Sequence, residues 1–215
     1  MARYLTNVII ATDDQHIYDE ARRFGASVRM TRADHISGTD RVAEVASAET
    51  AAEWIVNVQG DEPLIDPAAI DAAILPLLDE PAIFMATLKK RIEDPRETSD
   101  PNVVKVVTDR FQNAIYFSRS TIPHPRDETG GEPVVHYKHI GLYVYKRDFL
   151  LRYPELPVGP LEKAERLEQL RALENGYKIR VVETDYESVG VDTPDDLERV
   201  NQLFETSLAG VIQNG

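Results

Sequence analysis

The sequence predicts an α/β protein, with a mixed sheet that has helices on its faces. In the first 90 or so residues, short apolar runs alternate with stretches of helical periodicity, which is typical of parallel strands joined by helices. After about residue 100, apolar runs follow one another without long helices between them, which indicates an antiparallel part. No internal repeat or low-complexity linker interrupts the 215 residues, so we expect a single domain over 1–215.

Short runs of apolar and β-branched residues, bounded by turn residues, mark the strands. In chain order the predicted strands are 7–11, 27–30, 54–58, 83–88, 103–107, 114–118, 141–145 and 179–183. The segment 128–132, with the sequence ETGGE, is expected to be a flexible loop inside the antiparallel part.

Apolar periodicity and capping residues mark the helices. Predicted helices cover 17–24, 39–48, a stretch beginning at 67, 161–173, and a last amphipathic helix that carries Leu197, Val200, Leu203 and Phe204. Gly25 is expected to end the first helix. Asp66 and Pro67 have the residue types that begin a helix, and Thr193 is expected to cap the last helix with Asp196 three residues later.

Composition excludes several classes of protein. The formal net charge of −13 argues against a nucleic-acid surface and against binding to an anionic membrane. No apolar run is long enough to span a bilayer, the start does not resemble a signal peptide, and there is no cysteine for disulfides or thiolate metal sites. We therefore expect a cytoplasmic protein. A small anionic ligand remains possible, because arginines and a metal ion can make a cleft locally positive.

Two acidic residues stand at the junctions between predicted strands and helices. Asp61 follows the strand 54–58 in "NVQGDEPLID", and Asp192 precedes the last helix in "VGVDTPDDL". Ligands bind at the carboxyl ends of strands in open α/β sheets, and magnesium is often held by one or two carboxylates together with substrate phosphates. The spacing alone leaves a second interpretation open, in which both are ordinary turn acids.

The stretch "TRADHISGTDR" offers a site for an anion or a nucleobase. Ser37 and Gly38 precede a predicted helix whose first backbone N–H groups would face a ligand, and Arg41 would add positive charge. A plain capped loop explains the same residues, because the stretch matches neither a GxGxxG nor a P-loop pattern.

Further polar candidates lie on later elements: Lys105, Arg119, His139, Tyr143, Glu168 and Gln169. Arg119 follows a strand and could bind a carboxylate with two hydrogen bonds. His139 and Tyr143 are four residues apart on a strand and so share one face. The simpler interpretations are an edge lysine for Lys105 and a solvated helix face for the last two residues.

Taken together, these segments resemble the 3-deoxy-manno-octulosonate cytidylyltransferases. The segments that carry the resemblance occur in the family's order over residues 5–205: "TRADHISGTDR", "IVNVQGDEPLI", "NVVKVV", "YFSRSTIP", "HIGLYVY", "PLEKAERLEQLRALENG" and "GVDTPDDLERV". The resemblance implies a nucleotide-diphospho-sugar transferase fold, which is Rossmann-like, with an antiparallel arm used in homodimerisation. It also implies transfer of CMP from CTP to the sugar acid 3-deoxy-manno-octulosonate (Kdo), for lipopolysaccharide biosynthesis.

The resemblance assigns roles to the candidate residues. Asp61 and Asp192 would be catalytic and hold Mg²⁺. The sugar acid would be bound by Gln59, Arg119, His139, Tyr143, Glu168 and Gln169. The nucleotide would be bound by Ser37, Gly38, Arg41 and Lys105. Catalysis would then consist of positioning and electrostatic stabilisation, which requires no covalent nucleophile.

The sequence departs from the family at its start. The family begins with a strand and a basic, glycine-containing loop that cradles the triphosphate, and this chain has no matching segment before the strand 7–11. This departure predicts a break in the sheet beside that strand, weak binding of CTP and little or no formation of CMP-Kdo. Two alternatives to a working Kdo enzyme stay open: a non-catalytic homologue that binds the sugar acid or dimerises, and a cytidylyltransferase for another sugar acid.

Overall fold

The computed structural model describes residues 2–126, 134–191 and 193–212, without the side chains of 205–212. The predicted loop at 128–132 and Asp192 lie outside these residues. The strands are Ile9–Thr12 (β1), Ser27–Met30 (β2), Trp54–Asn57 (β3), Met85–Arg91 (β4), Lys105–Thr108 (β5), Ala114–Ser118 (β6), Tyr137–Lys146 (β7) and Ile179–Glu183 (β8). The helices are Gln15–Arg23 (α1), Gly38–Ala48 (α2), Pro67–Asp79 (α3), Pro95–Ser99 (α4), Arg147–Arg152 (α5), Pro160–Glu165 (α6), Leu170–Glu174 (α7) and Pro194–Ile212 (α8), with a 3₁₀ turn at Tyr153–Glu155.

Six strands form one mixed sheet, as the sequence predicts. The order is β6-β5-β7-β4-β8, and β3 also pairs with β7. β7 runs antiparallel to β3, β4 and β5, whereas β4 and β8 are parallel. The antiparallel part is therefore confirmed, but its longest strand, β7, lies within the main sheet and not in an arm apart from it.

The first two strands form a separate pair. β1 is parallel to β2, and within the described residues neither joins the six-stranded sheet. The expected break in the sheet beside β1 is therefore present. Helix α2 contacts both β1 and β3, so it connects the pair to the main sheet.

The predicted helix at 161–173 is wrong as a single element. It is divided into α6 and α7, because Arg166 adopts a left-handed conformation (φ 53°) at the end of α6. Residues between the two helices then turn inward, and Leu167 and Gln169 become buried. Helical periodicity could not show this break, since arginine has no preference for positive φ.

Helix ends are better predicted than inward faces. Gly25 has a φ of 83° after α1, and Thr193 exchanges hydrogen bonds with Asp196 at the start of α8. Helical spacing places Ile17, Ala21 and Phe24 on one face of α1, but of these three only Ala21 is buried, and Ile17 and Phe24 are exposed. No helix among the described residues is both long and apolar enough to cross a membrane.

Candidate functional site

The N-terminus of α2 brings predicted nucleotide and sugar residues together. Ser37 caps the helix by accepting a hydrogen bond from the Asp40 amide at 3.2 Å, and its hydroxyl donates to Glu168 Oε1 at 2.9 Å although the two residues are 131 positions apart. A Cβ added to Gly38 would lie 3.8 Å from Gln59 Oε1. Ser37, Gly38, Gln59 and Glu168 thus lie around one helix end.

Arg41 is held on the same helix by two neighbours. Its guanidinium donates to Thr31 Oγ1 at 2.5 Å and pairs with Asp13 at 2.9 Å. The hydrogen bond from Arg41 lowers the pKa of Asp13, so the pair is ionised at neutral pH. Asp13 directly follows β1, so this ion pair fixes α2 against the end of that strand.

The turn after β3 carries Asp61 at the surface. Asp61 is exposed, and its backbone carbonyl accepts a hydrogen bond from the Val191 amide at 2.9 Å. Val191 immediately precedes Asp192 in the sequence. Asp192 itself lies outside the described residues, so this contact brings only its neighbour to Asp61.

Glu62 fastens the segment before Asp192 to this turn. Its carboxylate accepts hydrogen bonds from the Tyr186 hydroxyl at 2.9 Å and from the Ser188 hydroxyl. We call these contacts the Glu62 clasp. Together with the Val191–Asp61 bond, the Glu62 clasp joins the segment 186–191 to the turn 59–63.

Two half-buried side chains on β7, His139 and Tyr143, form a surface that we call the wall along β7. The ring centroid of His139 lies 5.0 Å from that of Phe117 and 5.3 Å from that of Tyr143, which confirms that His139 and Tyr143 share a face. Burial lowers the pKa of His139 to about 3 and raises the pKa of Tyr143 well above its usual value. Both side chains are neutral at physiological pH and can only exchange hydrogen bonds with a ligand.

Glu168 and Gln169 lie between α6 and α7. Burial raises the pKa of Glu168, although hydrogen bonds from Ser37 and Thr39 act in the opposite direction. Gln169 is only 4% exposed, and its Nε2 has no hydrogen-bond partner. Because a buried unpaired donor is costly, this amide is suited to an oxygen of a bound molecule. The solvated helix face is therefore the wrong interpretation of these two residues.

Arg119 is fixed at the end of β6 by two charged neighbours. The Glu165 carboxylate accepts from the Arg119 amide at 2.9 Å, and Arg119 Nε donates to the Glu165 carbonyl at 2.9 Å.

Lys105 is fully buried and donates to the carbonyls of Asp100, Val103 and Arg119 at 2.7, 2.7 and 2.6 Å. Lys105 is therefore not an exposed edge residue, and its ammonium uses all three hydrogens within the protein. A nucleotide contact by Lys105, which stays a prediction, would require those bonds to be replaced.

The described residues contain no group of three or more possible metal ligands. Asp61 supplies an exposed carboxylate, which is the kind of oxygen donor that Mg²⁺ prefers, and such a site commonly uses few protein ligands. The chemistry of this donor therefore fits the predicted ion.

Three residues without a predicted role contact members of the candidate site. Glu62 and Glu165 fix the surroundings of Asp61 and Arg119, and Thr87 contacts His139. Glu62 adjoins Asp61 in the quoted motif, which was a signal for it. Nothing in the sequence marks Thr87 or Glu165, because their partners are distant along the chain.

Known proteins with similar sequences belong to one enzyme family. The family model described as "Cytidylyltransferase" matches residues 2–179. The chain is 70% identical to the 3-deoxy-manno-octulosonate cytidylyltransferase of Solibacter usitatus, over all of this chain and 84% of that protein. It is 56% identical to the protein of the same name from Geobacter sulfurreducens, over 93% of this chain and 82% of that one.

A solved structure of similar fold and sequence supports the same family. The structure of a CMP:2-keto-3-deoxy-manno-octonic acid synthetase complexed with CTP matches with a TM-score of 0.89 and 41% identity, over 96% of this chain and 84% of that one. A thymidylyltransferase structure from Bacillus anthracis matches with a TM-score of 0.56 at 16% identity, over 91% of this chain and 74% of that one, and supports the fold alone.

Proposed function

Because the chain belongs to the 3-deoxy-manno-octulosonate cytidylyltransferase family, we propose that it transfers CMP from CTP to 3-deoxy-manno-octulosonate. The anomeric hydroxyl oxygen forms a bond to the α-phosphorus, the bond from that phosphorus to the bridging oxygen breaks, and pyrophosphate leaves. The hydroxyl proton passes to solvent. The observation that carries the proposal is the Ser37–Glu168 hydrogen bond, which joins the proposed nucleotide and sugar sides.

On the nucleotide side, the N-terminus of α2 presents backbone N–H groups and partial positive charge. Ser37 and Gly38 stand at this end, and Arg41 on the first turns adds a guanidinium. These groups would bind CTP, since anions and nucleotides are stabilised at helix N-termini.

On the sugar side, the protein offers complementary polar groups for a carboxylate and several hydroxyls. Arg119 would bind the carboxylate, because a guanidinium matches its two oxygens. The remaining contacts would come from Gln59, His139, Tyr143, Glu168 and Gln169. His139 and Tyr143 are neutral, so they add no repulsive charge to the sugar carboxylate or to CTP.

Asp61 and Asp192 would hold Mg²⁺ near the phosphates. When bound, the ion would neutralise phosphate charge, which favours departure of pyrophosphate. Support for this assignment comes from the hydrogen bond between Val191 and Asp61, since Val191 adjoins Asp192. The weak binding of CTP expected from the sequence stays a prediction, and KM for CTP tests it.

The biological setting and the assembly belong to the same proposal. CMP-Kdo would serve lipopolysaccharide biosynthesis in the cytoplasm, and the active form would be a homodimer. The antiparallel region supports the dimer, because Ile115 is 61% exposed on β6 and Phe111 is 67% exposed beside it. An Ile115→Asp variant should be monomeric by light scattering if this surface joins two copies. An unchanged dimer would place the interface elsewhere.

The experiment that tests the activity measures pyrophosphate release by the purified chain with Mg²⁺. Release is expected with CTP and Kdo together and not with either alone. N-acetylneuraminate in place of Kdo distinguishes the alternative sugar acid, and ATP or UTP in place of CTP tests the base. Release with CTP and N-acetylneuraminate, but not with CTP and Kdo, would refute the choice of sugar. No release with any pair of substrates would favour the non-catalytic homologue.

A further inference from the structure

Thr87 lies beneath His139 at an irregularity in the sheet. The register between β4 and β7 shifts between Thr87 and Leu88, so that Thr87 is opposite Tyr143 and Leu88 is opposite Ile140. Gly141 and Leu142 therefore have no partner in β4, and this bulge turns two β7 carbonyls towards the threonine side chain. Bulges next to sites commonly redirect side chains in this way.

The hydroxyl of Thr87 has three close polar neighbours. Its Oγ1 lies 2.8 Å from the Leu142 carbonyl oxygen, 3.1 Å from the Ile140 carbonyl oxygen and 2.8 Å from His139 Nε2. A hydroxyl carries one hydrogen, and carbonyl oxygens can only accept. If that hydrogen pointed to His139, both carbonyls would face Oγ1 lone pairs at hydrogen-bond distance with no hydrogen between.

The hydrogen of Thr87 is therefore directed to a carbonyl, and Oγ1 accepts a hydrogen bond from His139. This assigns the hydrogen of the neutral imidazole to Nε2. The low pKa of His139, about 3 because of burial, keeps the ring neutral at physiological pH. Its other nitrogen, Nδ1, is then an acceptor and cannot donate.

That second nitrogen is open to a ligand. Nδ1 makes no hydrogen bond with the described residues, and the buried unpaired side-chain atoms among them are Asp40 Oδ1 and Gln169 Nε2. Nδ1 is not one of these, so the protein does not enclose it completely. The site thus offers an accessible acceptor on β7.

We propose that Thr87 is a positioning residue that fixes the tautomer of His139, so that Nδ1 selects a hydroxyl group of the sugar acid. This inference rests on the proposed function for the identity of the ligand. Nδ1 accepts a hydrogen bond from a hydroxyl and offers nothing to a carboxylate oxygen. The carboxylate is directed instead to Arg119, which directly follows β6 and carries a guanidinium that matches two carboxylate oxygens.

The direct test is the imidazole ¹⁵N spectrum of the protein at pH 8 without ligands. His139, assigned by comparison with His139→Asn, is expected to show a protonated Nε2 and an unprotonated Nδ1. His136 is an internal standard, since its Nδ1 contacts the Ile122 carbonyl at 3.1 Å and must carry the hydrogen. The two histidines should therefore show opposite tautomers. A protonated Nδ1 on His139 in the wild-type protein would overturn the proposal.

Variants extend the test to specificity. Thr87→Val removes the acceptor, so the His139 tautomers should mix and KM for the sugar acid should rise roughly tenfold, the effect of losing about one hydrogen bond. KM for CTP should not change. Thr87→Ser should restore both properties, and Thr108→Val, which removes a hydroxyl that accepts from Lys89 at 3.0 Å, should alter neither.

Failure of the inference is distinguishable from failure of the proposed function. The spectrum requires no substrate, so a protonated Nε2 in a chain without transferase activity would uphold the role of Thr87 and refute the function. An unchanged tautomer and unchanged KM in Thr87→Val would overturn the inference alone. If Thr87→Val does not fold, the wild-type spectrum still decides.

Discussion

The turn at 59–63 and the wall along β7 obtain their geometry in different ways. Asp61 is exposed, and its surroundings are fixed by contacts with the segment 186–191 through the Glu62 clasp. His139 and Tyr143 stand on a strand in the main sheet, packed against Phe117 and supported by Thr87. The turn depends on side-chain hydrogen bonds between distant segments, whereas the wall depends on the sheet itself.

Stability and activity can therefore be separated at the turn but not in the wall. Changes at an exposed turn acid remove little packing, so they should lower turnover without unfolding the chain. Changes in the wall alter buried groups and should affect both stability and sugar binding.

The largest effect is expected at the turn. Asp61→Asn should lower kcat by about 100-fold to 1,000-fold, because it removes a carboxylate that would hold the Mg²⁺ ion against the phosphates. The melting temperature should change little. Asp66→Asn is a matched control, since Asp66 lies nearby and caps α3 through the Ala68 amide at 2.8 Å. Equal losses of kcat in both variants would contradict a specific role for Asp61.

The end of β6 should show a binding effect. Arg119→Ala should raise KM for the sugar acid by about 100-fold, because a charge-assisted contact with the carboxylate is lost. KM for CTP should stay the same. Arg96→Ala removes an exposed arginine that pairs with Asp94 and should leave both constants unchanged. A rise in KM for CTP alone would move Arg119 to the nucleotide side.

Glu165 extends this prediction to a neighbour. Glu165→Gln should raise KM for the sugar acid by less than Arg119→Ala does, and the double variant should resemble Arg119→Ala alone, because Glu165 would act through Arg119. Burial alone would raise the pKa of Glu165, but hydrogen bonds from Arg119 and Ser118 lower it, so the carboxylate is charged in the folded protein. Additive effects in the double variant would separate the two residues.

The wall should make stability depend on pH. The folded-state pKa of His139, about 3, is below the usual value of 6.5, so the unfolded chain binds a proton that the folded chain rejects between these values. Stability contributed by neutral His139 is present above pH 6.5 and is lost as pH falls. At pH 5 the loss is about 2 kcal/mol in the free energy of unfolding.

Urea unfolding at pH 5 and pH 8 measures this difference. His139→Asn cannot titrate, so it should lack this part of the pH dependence while keeping that of the other groups. The difference between wild type and variant should therefore change by about 2 kcal/mol between the two pH values. Parallel pH dependence in the two proteins would show that the pKa of His139 is not lowered in the folded state.

The smallest effect is expected at the Glu62 clasp. Glu62→Gln should lower turnover about tenfold, because a neutral amide holds the hydroxyls of Tyr186 and Ser188 less strongly than a carboxylate does. Tyr186→Phe should have a similar effect. Hydrogen exchange of the Val191 amide should become faster in both, since its acceptor is Asp61. Glu20→Gln, at an exposed pair with Arg23, is the control, and unchanged Val191 exchange would refute the clasp.

The sequence predicted the fold wherever local signals agreed with tertiary contacts. Gly25, Asp66 and Thr193 lie at helix ends as their residue types indicate. The division at Arg166 could not be predicted, because the left-handed residue is stabilised by burial of its neighbours and not by its own preference. The central place of β7 also depends on pairing with three strands that are distant in the sequence.

Four of the candidate residues lie close together in the fold, but the sequence did not indicate the residues that support them. Ser37, Gly38, Gln59 and Glu168 do meet, although simple patterns favoured capped loops and a solvated face. Lys105 was the least predictable, since a strand position does not show that its ammonium reaches three carbonyls. Each of these contacts joins parts of the chain whose proximity only the folded structure reveals.

A ³¹P NMR spectrum of the purified chain with CTP, Mg²⁺ and Kdo follows both products of the proposed transfer at once. We expect a new phosphodiester resonance of CMP-Kdo that grows together with pyrophosphate, and neither signal when Kdo is omitted. Asp61→Asn should slow both signals equally. Unchanged CTP, or pyrophosphate that accumulates with free CMP and without a phosphodiester, would refute the transfer of CMP to Kdo.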